Sequence, residues 1–370
     1  MKIRAQRAEL AQTLTWVTSA ISKRPVNPAL GGIRLTATDD QLQLRAFGDS
    51  VAHEMRLDVE VGDEGDCLVN GQFLREIVSA LKGSEVDLDY DDSVGRLTIS
   101  SGRATYRASA LTLQDFPRLP DFPTECGRAS AEDFAAAVSV VKHAPDDAGD
   151  FDNLRGIRLE GESGGIAVAG LMPQRIAATS LPWAHHPAET DLQCQVPTLG
   201  LAAAVKGMSG ELTIGYDDGR FGLRDSVRAV TLACYAEDYP AWRAAIPDAT
   251  VPGVTFDVAV ADLLDALKRT SLLVTMETAV VLTVTADELV IDTDTEGSDG
   301  SEGVAIDGVT GEGAARLNPR LMVDALSTIP GGRVRMHIPD ALNKAVTMRP
   351  LDYPHTTYAV ARKPGTKGRS

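Results

Sequence analysis

The sequence predicts an α+β fold in which one domain of about 120 residues is used three times along a chain of 370 residues. Three observations support this prediction. An acidic–aromatic–proline triplet recurs at nearly equal spacing, and two amphipathic helix patterns recur at similar offsets in each third. Short runs of alternating apolar and polar residues lie between the helix patterns, as half-buried antiparallel strands require.

The repeated triplet is the clearest marker. It occurs as Asp115-Phe116-Pro117, Asp238-Tyr239-Pro240 and Asp352-Tyr353-Pro354, with separations of 123 and 114 residues. A single triplet is a common turn, but a second marker moves with it, because Gly32-Ile33-Arg34-Leu35 recurs as Gly156-Ile157-Arg158-Leu159. The repeat predicts a first domain over 1–124, a second over 125–249, and a third over 250–370 that ends in a short tail. The alternative is three unrelated small α+β domains.

Apolar residues at steps of three or four predict two helices in each third, because this spacing places them on one helical face. The first helix of each third carries Leu10, Leu14, Val17 and Ile21, then Phe134, Val138 and Val141, then Leu263, Leu267 and Thr270. The second carries Phe73, Ile77 and Leu81, then Leu201, Val205 and Met208, then Met322, Leu326 and Ile329. The clearest strand patterns are Gln41–Ala46, Glu85–Tyr90, Arg96–Ser100, Glu211–Tyr216 and Arg333–Ile338.

Composition restricts the class of protein. The formal charge of −16 argues against a protein that coats nucleic acid with its whole surface, but it leaves open one that concentrates basic groups in one place. No apolar run approaches the roughly 20 residues of a membrane span, and the N-terminus lacks a signal-like apolar stretch, so we expect a cytoplasmic protein. Cys67, Cys126, Cys194 and Cys234 are scattered, which favours free thiols over a zinc site.

Three motifs resemble catalytic or metal-binding sites, but the residues around each of them do not fit such a site. Gly161–Gly165 fits the nucleophile-elbow formula, but a strand pattern follows it where a helix is required. Asp292–Gly297 begins like a calcium loop, but Gly303 occupies the position of the bidentate glutamate. Adjacent histidines in a strand, such as His185 and His186, point in opposite directions and rarely share a metal. We therefore expect no catalytic residue, no metal and no cofactor.

Several segments resemble, in order, the bacterial DNA polymerase III beta subunit, the replicative sliding clamp. They are Met1–Leu10, Arg24-Pro25 with Pro28-Ala29-Leu30, Asp115-Phe116-Pro117, and Asp238–Arg243 with Ile246-Pro247. The resemblance covers residues 1–360 and implies the DNA-clamp fold, in which two chains close head to tail into a ring with the helices facing the hole. It also implies a non-enzymatic processivity factor. The implied partners are double-stranded DNA, a second copy of the chain, and DNA polymerase and clamp-loader subunits that dock short peptides.

Charge is distributed as such a pore lining would need. The helical segments carry ten basic and seven acidic side chains, which leaves the rest of the chain at −19. The candidate DNA-binding residues are Arg24, Arg7, Lys82, Lys142, Lys206, Lys268 and Arg269. By the resemblance, Arg24 is the best single contact. The alternative is that the four lysines only complement the negative C-terminal ends of their helices. Thr198-Leu199, where the family often has basic residues, and the acidic loop after Lys142 suggest weaker DNA affinity.

The resemblance also implies a dimer interface between Tyr106 and Ala108 of one chain and Leu272 and Leu273 of the other. The alternative is that both leucines are ordinary core residues of the Leu263 helix. Two readings from other classes also stay open. One is an enzyme that uses Ser163 or a cysteine, and the other is a repeat binding module with no role on DNA.

The implied partner-peptide pocket is where the sequence departs most from the family. Its matching positions are Leu154, Leu171, Pro173, Gln174, Arg175, Ile176, Pro240, Ala245, Val360 and Ala361. Leu171–Gln174 replaces a Thr-Asp-Gly/Arg-His/Tyr run, and Pro173 removes a backbone donor. Tyr358–Lys363 lacks the family's methionine, a flexible apolar wall. Two hypotheses follow: a reshaped pocket, or a second-copy clamp with a narrower task such as resistance to a clamp-blocking compound.

Overall fold

A computed structural model describes residues 1–22, 24–48, 50–185, 191–217, 219–274, 278–294, 299–329 and 331–364. The chain divides into two compact units. The first consists of Met1–Ala135 and Trp183–Cys234, and the second of Ala136–Pro182 and Tyr235–Ser370. The three-domain boundaries expected from the repeat are a finer division and stay a prediction.

In the described ranges the chain forms six α-helices, two in each third. They are α1 (Arg7–Val17), α2 (Gly71–Ala80), α3 (Ala131–Val141), α4 (Thr198–Val205), α5 (Val260–Thr270) and α6 (Pro319–Leu326). Each lies where the apolar spacing predicts it, and each first helix follows directly on a strand. The predicted α+β order of strand, helix, strands, helix and strands is therefore confirmed.

The buried faces of the helices agree with the apolar spacing, except in α2. In α1, Leu10, Leu14 and Val17 are fully buried, as predicted. In α2 the buried residues are Leu74 and Val78, whereas Phe73 and Ile77 of the predicted face are only half-buried. The predicted face is thus off by one residue, because both faces carry apolar side chains and periodicity alone cannot rank them.

The first unit contains two antiparallel sheets. The smaller one has the order β5 (Glu60–Asp63), β1 (Lys2–Gln6), β7 (Glu85–Asp91), β8 (Arg96–Ser101), β9 (Ala104–Ser109). The larger one has the order β14 (Ala184–His185), β10 (Glu125–Ser130), β16 (Glu211–Asp217), β17 (Arg220–Arg224), β18 (Arg228–Ala233), β4 (Val51–Asp58), β3 (Gln41–Phe47), β2 (Gly32–Thr38), β6 (Gly65–Asn70). β15 (Gln193–Val196) also belongs to this unit.

The larger sheet joins strands from distant parts of the chain. β18 pairs with β4 in the register Arg228 with Met55 and Leu232 with Val51. Side chains alternate between two faces of a strand, so Leu35 and Leu44 are buried while Arg34 and Arg45, their neighbours in sequence, lie on the opposite face.

The second unit contains a continuous series of antiparallel strands. Their order is β11 (Ile157–Glu162), β12 (Gly165–Met172), β13 (Arg175–Pro182), β26 (Thr357–Val360), β25 (Val346–Pro350), β24 (Arg333–Pro339), β19 (Gly253–Ala259), β22 (Ser301–Thr310), β21 (Glu288–Asp294), β20 (Ala279–Val284), β23 (Gly313–Leu317). The link between β26 and β13 brings the end of the chain beside residues 175–178.

The rejected motifs can be placed in this fold. Glu162 pairs with Gly165, so Ser163 lies in the turn of the β11–β12 hairpin, as predicted. Residues 295–297 of the acidic loop, and His186, lie outside the described residues. The four cysteines are free thiols, and burial raises the pKa of Cys67 to about 12. Among the helices of the described ranges, none is both long enough and apolar enough to cross a bilayer.

Candidate nucleic-acid and partner interfaces

Four exposed lysines mark the ends of four helices. Lys82 follows α2 by two residues, Lys142 and Lys206 directly follow α3 and α4, and Lys268 lies in the last turn of α5. Within the described residues none of them has an ion pair or a side-chain hydrogen bond. Their charges are therefore free to act on a polyanion and also lie where they stabilise the helix dipoles.

The three arginines of the candidate DNA surface differ in the hydrogen bonds and ion pairs that already occupy their side chains. Arg7 opens α1, and its Nε donates to the carbonyl oxygen of Gly83 over 3.0 Å. Arg24 is exposed. Arg269 forms a two-bonded ion pair with Glu302, at 2.8 and 2.6 Å, which raises the pKa of the guanidinium. We therefore expect Arg269 to contribute less to DNA binding than the four lysines.

The second helix of the middle third begins two residues earlier than expected, because Thr198-Leu199 was predicted to lie just before it. Thr198 is the first residue of α4, and Leu199, within the helix, is 80% exposed. Lys206 at the other end of α4 is the nearest basic residue to this helix in sequence.

The candidate interface residues lie on exposed surfaces. Tyr106 is 43% exposed and Ala108 is half-buried, and both belong to β9, which is the edge strand of its sheet. Leu272 and Leu273 follow α5 and are 84% and 42% exposed. The alternative that both leucines are core residues of that helix is wrong.

An apolar cluster in the second unit brings several candidate pocket residues together. Leu171 and Ile176, a directly opposed pair of β12 and β13, are buried in it, and Leu154 is half-buried against it. Its other buried members are Ala167, Ala169, Ala178, Trp242 and Ala359. The candidate set omits Trp242, although the stretch Asp238–Pro247 that carries the resemblance contains it.

Two polar atoms in this cluster are buried without partners. The Nε1 of Trp242 and the hydroxyl of Tyr239 have no hydrogen-bond partner among the described residues. Burial raises the pKa of Tyr239, so its hydroxyl stays protonated and remains a donor at neutral pH. Unpaired buried donors are costly, and a docked peptide carbonyl would be a suitable acceptor for either one.

Pro173 and Gln174 form the two-residue turn of the β12–β13 hairpin, because Met172 pairs with Arg175. Both residues are exposed. Proline suits the second position of a tight turn, so the backbone donor it removes breaks no ladder hydrogen bond here. Gln174 keeps a backbone role, since its carbonyl accepts from the N–H of Ala361 at 2.9 Å.

Arg175 is held firmly by its own unit. Its Nη1 lies 3.0 Å from Oδ2 of Asp324 in α6, and its Nε donates to the carbonyl oxygen of Ala144 at 3.1 Å. The side chain is only 17% exposed. These bonds fix β13 against α6, so Arg175 acts mainly as a support for the cluster.

The last strand, β26, contributes Ala359 to the apolar cluster. Successive residues of β26 project to opposite faces, and Ala359 packs in the apolar cluster whereas Val360, although buried, projects from the other face. Tyr358 shares the face of Val360 and stacks on His143, with 5.6 Å between ring centroids. We therefore place Ala359, not Val360, in the candidate pocket. Pro240 is half-buried and Ala245 exposed beside Trp242.

Comparison with known proteins agrees with this architecture. Residues 1–120 match the family model described as DNA polymerase III beta subunit, N-terminal domain. The beta sliding clamp of Streptomyces coelicolor is 27% identical over 339 residues, covering 89% of each chain. The beta sliding clamp homolog GriR of Streptomyces muensis is 26% identical over 356 residues, covering 94% of each chain.

Solved structures extend the likeness in fold to the full length. The DNA polymerase sliding clamp of Bacillus subtilis matches with a TM-score of 0.90 over 99% of both chains, at 18% identity. A Pseudomonas aeruginosa sliding clamp bound to griselimycin matches with a TM-score of 0.90 over 99% of this chain and 100% of that chain, at 21% identity. With its repeated helix pairs and antiparallel sheets, the chain therefore has the fold of the bacterial sliding clamps, and its first 120 residues match the N-terminal domain of the DNA polymerase III beta subunit.

Proposed function

We propose that this protein is a sliding clamp, a non-catalytic processivity factor that encircles duplex DNA as a homodimeric ring and tethers a DNA polymerase to its template. The observation that carries the proposal is the likeness in fold to a solved sliding clamp over 99% of the chain. Each monomer contributes three domains, over 1–124, 125–249 and 250–370. Topological enclosure, not a tight binding site, holds the DNA.

The proposed grip on DNA is electrostatic and independent of sequence. Arg24, Arg7 and the four helix-end lysines face the phosphates, which they attract without reading bases. The free side chains of Lys82, Lys142, Lys206 and Lys268 support this role. The net charge of −16 makes the remaining surface repel DNA, so the duplex is directed toward the basic groups.

The proposed ring closes through β9 of one chain and the segment after α5 of its partner. An edge strand offers unpaired backbone groups, and Tyr106 adds a half-exposed aromatic ring to it. The exposed Leu272 and Leu273 supply the apolar surface that a stable interface needs. A head-to-tail arrangement of two copies then closes the ring.

The proposed docking site for polymerase and clamp-loader peptides is the apolar cluster around Leu171, Ile176, Ala359 and Trp242. Apolar walls with a few orienting polar groups are typical of such sites. The unpaired donors of Trp242 and Tyr239 provide polar groups that a peptide backbone can satisfy.

A second candidate function is a specialised second-copy clamp whose partner pocket excludes a compound that blocks ordinary clamps. Ala359 and Ala361 line this pocket with small side chains, whereas the resemblance implies a methionine in this segment. The likeness to a protein named as a beta sliding clamp homolog, over 94% of both chains, favours this candidate.

Retention on DNA tests the main proposal. The full chain, loaded on a nicked circle by a clamp loader, should stay bound during gel filtration and be released when the circle is cut. Native mass spectrometry should give a dimer. A monomer that leaves circles and linear DNA equally fast would contradict the clamp and favour the binding module without a role on DNA.

Peptide binding tests the second candidate. A specialised pocket predicts weak binding of a clamp-binding peptide from an ordinary polymerase, measured by fluorescence polarisation. Ordinary affinity would remove the case for a narrower task and leave the replicative role.

A further inference from the structure

A cleft of about 500 Å³ lies in the first unit, on the face of the larger sheet that carries Arg34 and Arg45. The segment 117–122 forms one wall, and the turn 225–228 lies at one end. The cleft contains none of the candidate DNA-binding, interface or pocket residues, and its volume falls in the range of small-molecule sites.

Arginines cross the floor of this cleft in register. Arg34 pairs with Arg45, Arg45 with Glu54, Glu54 with Ala229, and Ala229 with Arg224, so these five residues form one row across β2, β3, β4, β18 and β17. Neighbouring strands lie about 4.8 Å apart, and the row therefore extends for roughly 19 Å. Paired residues of neighbouring strands project to the same face, which gathers cations that are far apart in sequence.

Small side chains line the cleft beside the row. Ala229 is the short member of the row, and Ala52 and Thr231, a directly paired couple of β4 and β18, also line the cleft. The segment 117–122 lies close against the sheet, because Phe122 packs on Gly222, where a Cβ atom would lie only 2.8 Å from its ring. Arg224 in turn lies over the Phe122 ring, 3.9 Å from its centroid.

The cations of the cleft outnumber their carboxylate partners. Arg34 is paired with Asp66, and Arg45 with Glu54 at 2.9 Å, from which Arg56 is 3.6 Å distant. Within the described part of the chain, Arg118 and Arg224 have no carboxylate partner. Asp121 and Asp225 also line the cleft, but the carboxylate of Asp225 is taken by Arg228 at 3.1 Å and by backbone N–H groups of its own turn.

We propose that this cleft binds a small polyphosphate anion, either inorganic polyphosphate or the phosphate chain of a nucleotide. Guanidinium groups bind phosphate oxygens through paired N–H donors. Arg34 and Arg45 are held in place by their ion pairs, while Arg118 and Arg224 bring the charge that the ligand neutralises. This site does not depend on ring formation or on the proposed role on DNA.

The strand pairing favours a small anion over an acidic peptide. β3, β4, β18 and β17 are paired on both sides, so they offer no backbone groups to an added peptide strand. Side-chain charge alone must hold the ligand, and a compact, multiply charged anion gains most from it. The wall formed by residues 117–122 keeps a wide molecule such as duplex DNA out of the cleft.

The test is isothermal titration calorimetry of the full chain with tripolyphosphate, with ATP, and with an acidic peptide of equal charge. We expect one saturable site for tripolyphosphate, ATP or both. Tighter binding of tripolyphosphate would identify inorganic polyphosphate as the ligand, and tighter binding of ATP would identify a nucleotide. The double variant Arg118→Gln with Arg224→Gln should lower the affinity at least about tenfold. Arg96→Gln, which removes an exposed arginine of β8, is the matched control and should leave the affinity unchanged.

Three outcomes would overturn the proposal. They are no saturable binding of either phosphate compound, binding that the double variant leaves intact, or tighter binding of the acidic peptide than of both phosphates. Circular dichroism of the double variant should match that of the original chain. If it does not, Arg118→Gln alone, at an exposed position, replaces the double variant and should still weaken binding.

Discussion

The indole of Trp16 stacks on the imidazole of His53, with 4.2 Å between ring centroids and 16° between ring planes. The Nδ1–H of His53 donates to the carbonyl oxygen of Trp16 at 3.0 Å, and the indole N–H of Trp16 donates to that of Ala204 at 3.1 Å. The pair thus joins α1, β4 and α4 within the first unit. The Nε2 of His53 is buried with no partner among the described residues.

This burial predicts a loss of stability in acid. Desolvation lowers the pKa of His53 from 6.5 to about 4, so the unfolded chain binds a proton that the folded chain resists. The stability that the neutral imidazole contributes is therefore complete above pH 6.5 and is lost as the pH falls toward 4. Between pH 6.5 and pH 4 we expect the contribution of His53 to the free energy of unfolding to fall by about 3 kcal/mol.

The measurement is urea unfolding at pH 7 and pH 4. His53→Gln should reduce the difference in unfolding free energy between the two pH values by about that amount, although it destabilises the protein at both. His355→Gln, at an exposed position, is the control. An equal pH dependence in the original chain and in His53→Gln would contradict the prediction.

The helix-end lysines should determine the salt dependence of DNA binding. Each of Lys82→Gln, Lys142→Gln, Lys206→Gln and Lys268→Gln should reduce the slope of log affinity against log salt by up to about 0.9. Arg269→Gln should change it less, because Glu302 already neutralises this side chain. Filter binding at several salt concentrations measures the slopes.

Lys344→Gln, at an exposed position outside the candidate DNA surface, is the matched control for these slopes. If the lysine variants have the slope of this control, the four charges serve only the helix dipoles, and the proposed DNA surface lies elsewhere.

Leu272→Asp should dissociate the proposed dimer. The leucine is 84% exposed in the single chain, and burying it in an interface stabilises the dimer by roughly 1.5–3 kcal/mol, whereas an unpaired aspartate there is unfavourable. We expect the dimer dissociation constant to rise at least about a hundredfold, as measured by analytical ultracentrifugation.

Leu342→Asp tests whether that effect belongs to the interface. Leu342 is 76% exposed and lies between β24 and β25, so this variant should remain dimeric. Should both variants behave alike, the segment after α5 has no special part in association.

Ala361→Met should strengthen the binding of an ordinary clamp-binding peptide. Ala361 directly follows β26, is half-buried, and donates its N–H to the carbonyl oxygen of Gln174, and a methionine there supplies a flexible apolar wall. We expect a gain of about tenfold in affinity by fluorescence polarisation. Ala233→Met, at an exposed position, is the control, and unchanged or weaker binding by Ala361→Met would refute the role given to this wall.

Much of the fold can be predicted from the sequence because its elements are local. All six helices of the described ranges lie where apolar spacing of three or four predicts them, and strands such as β3 and β24 match their alternating patterns within one residue. The apolar spacing misplaces the buried face of α2 because Phe73 and Leu74 are both apolar, and only packing decides which of them is buried.

The candidate sites were less accessible to prediction. The exposure of Leu272 and the orientation of Val360 depend on how the elements pack, since an apolar residue is equally compatible with a core and with an interface. The sequence does not place Trp242 in the pocket, because its burial depends on the strands that surround it. The arginine cleft had no sequence signal, because Arg34 and Arg224 are brought together only by strand pairing.

The sequence by itself determined the repeat, the order of helices and strands, and the concentration of basic side chains at helix ends, because these follow from local periodicity and charge. Only the tertiary structure decided which side chains share a surface, because the pairing of β18 with β4 and of β26 with β13 joins segments more than 170 residues apart. Such register depends on the complementary burial of both partners, and neither segment alone specifies it.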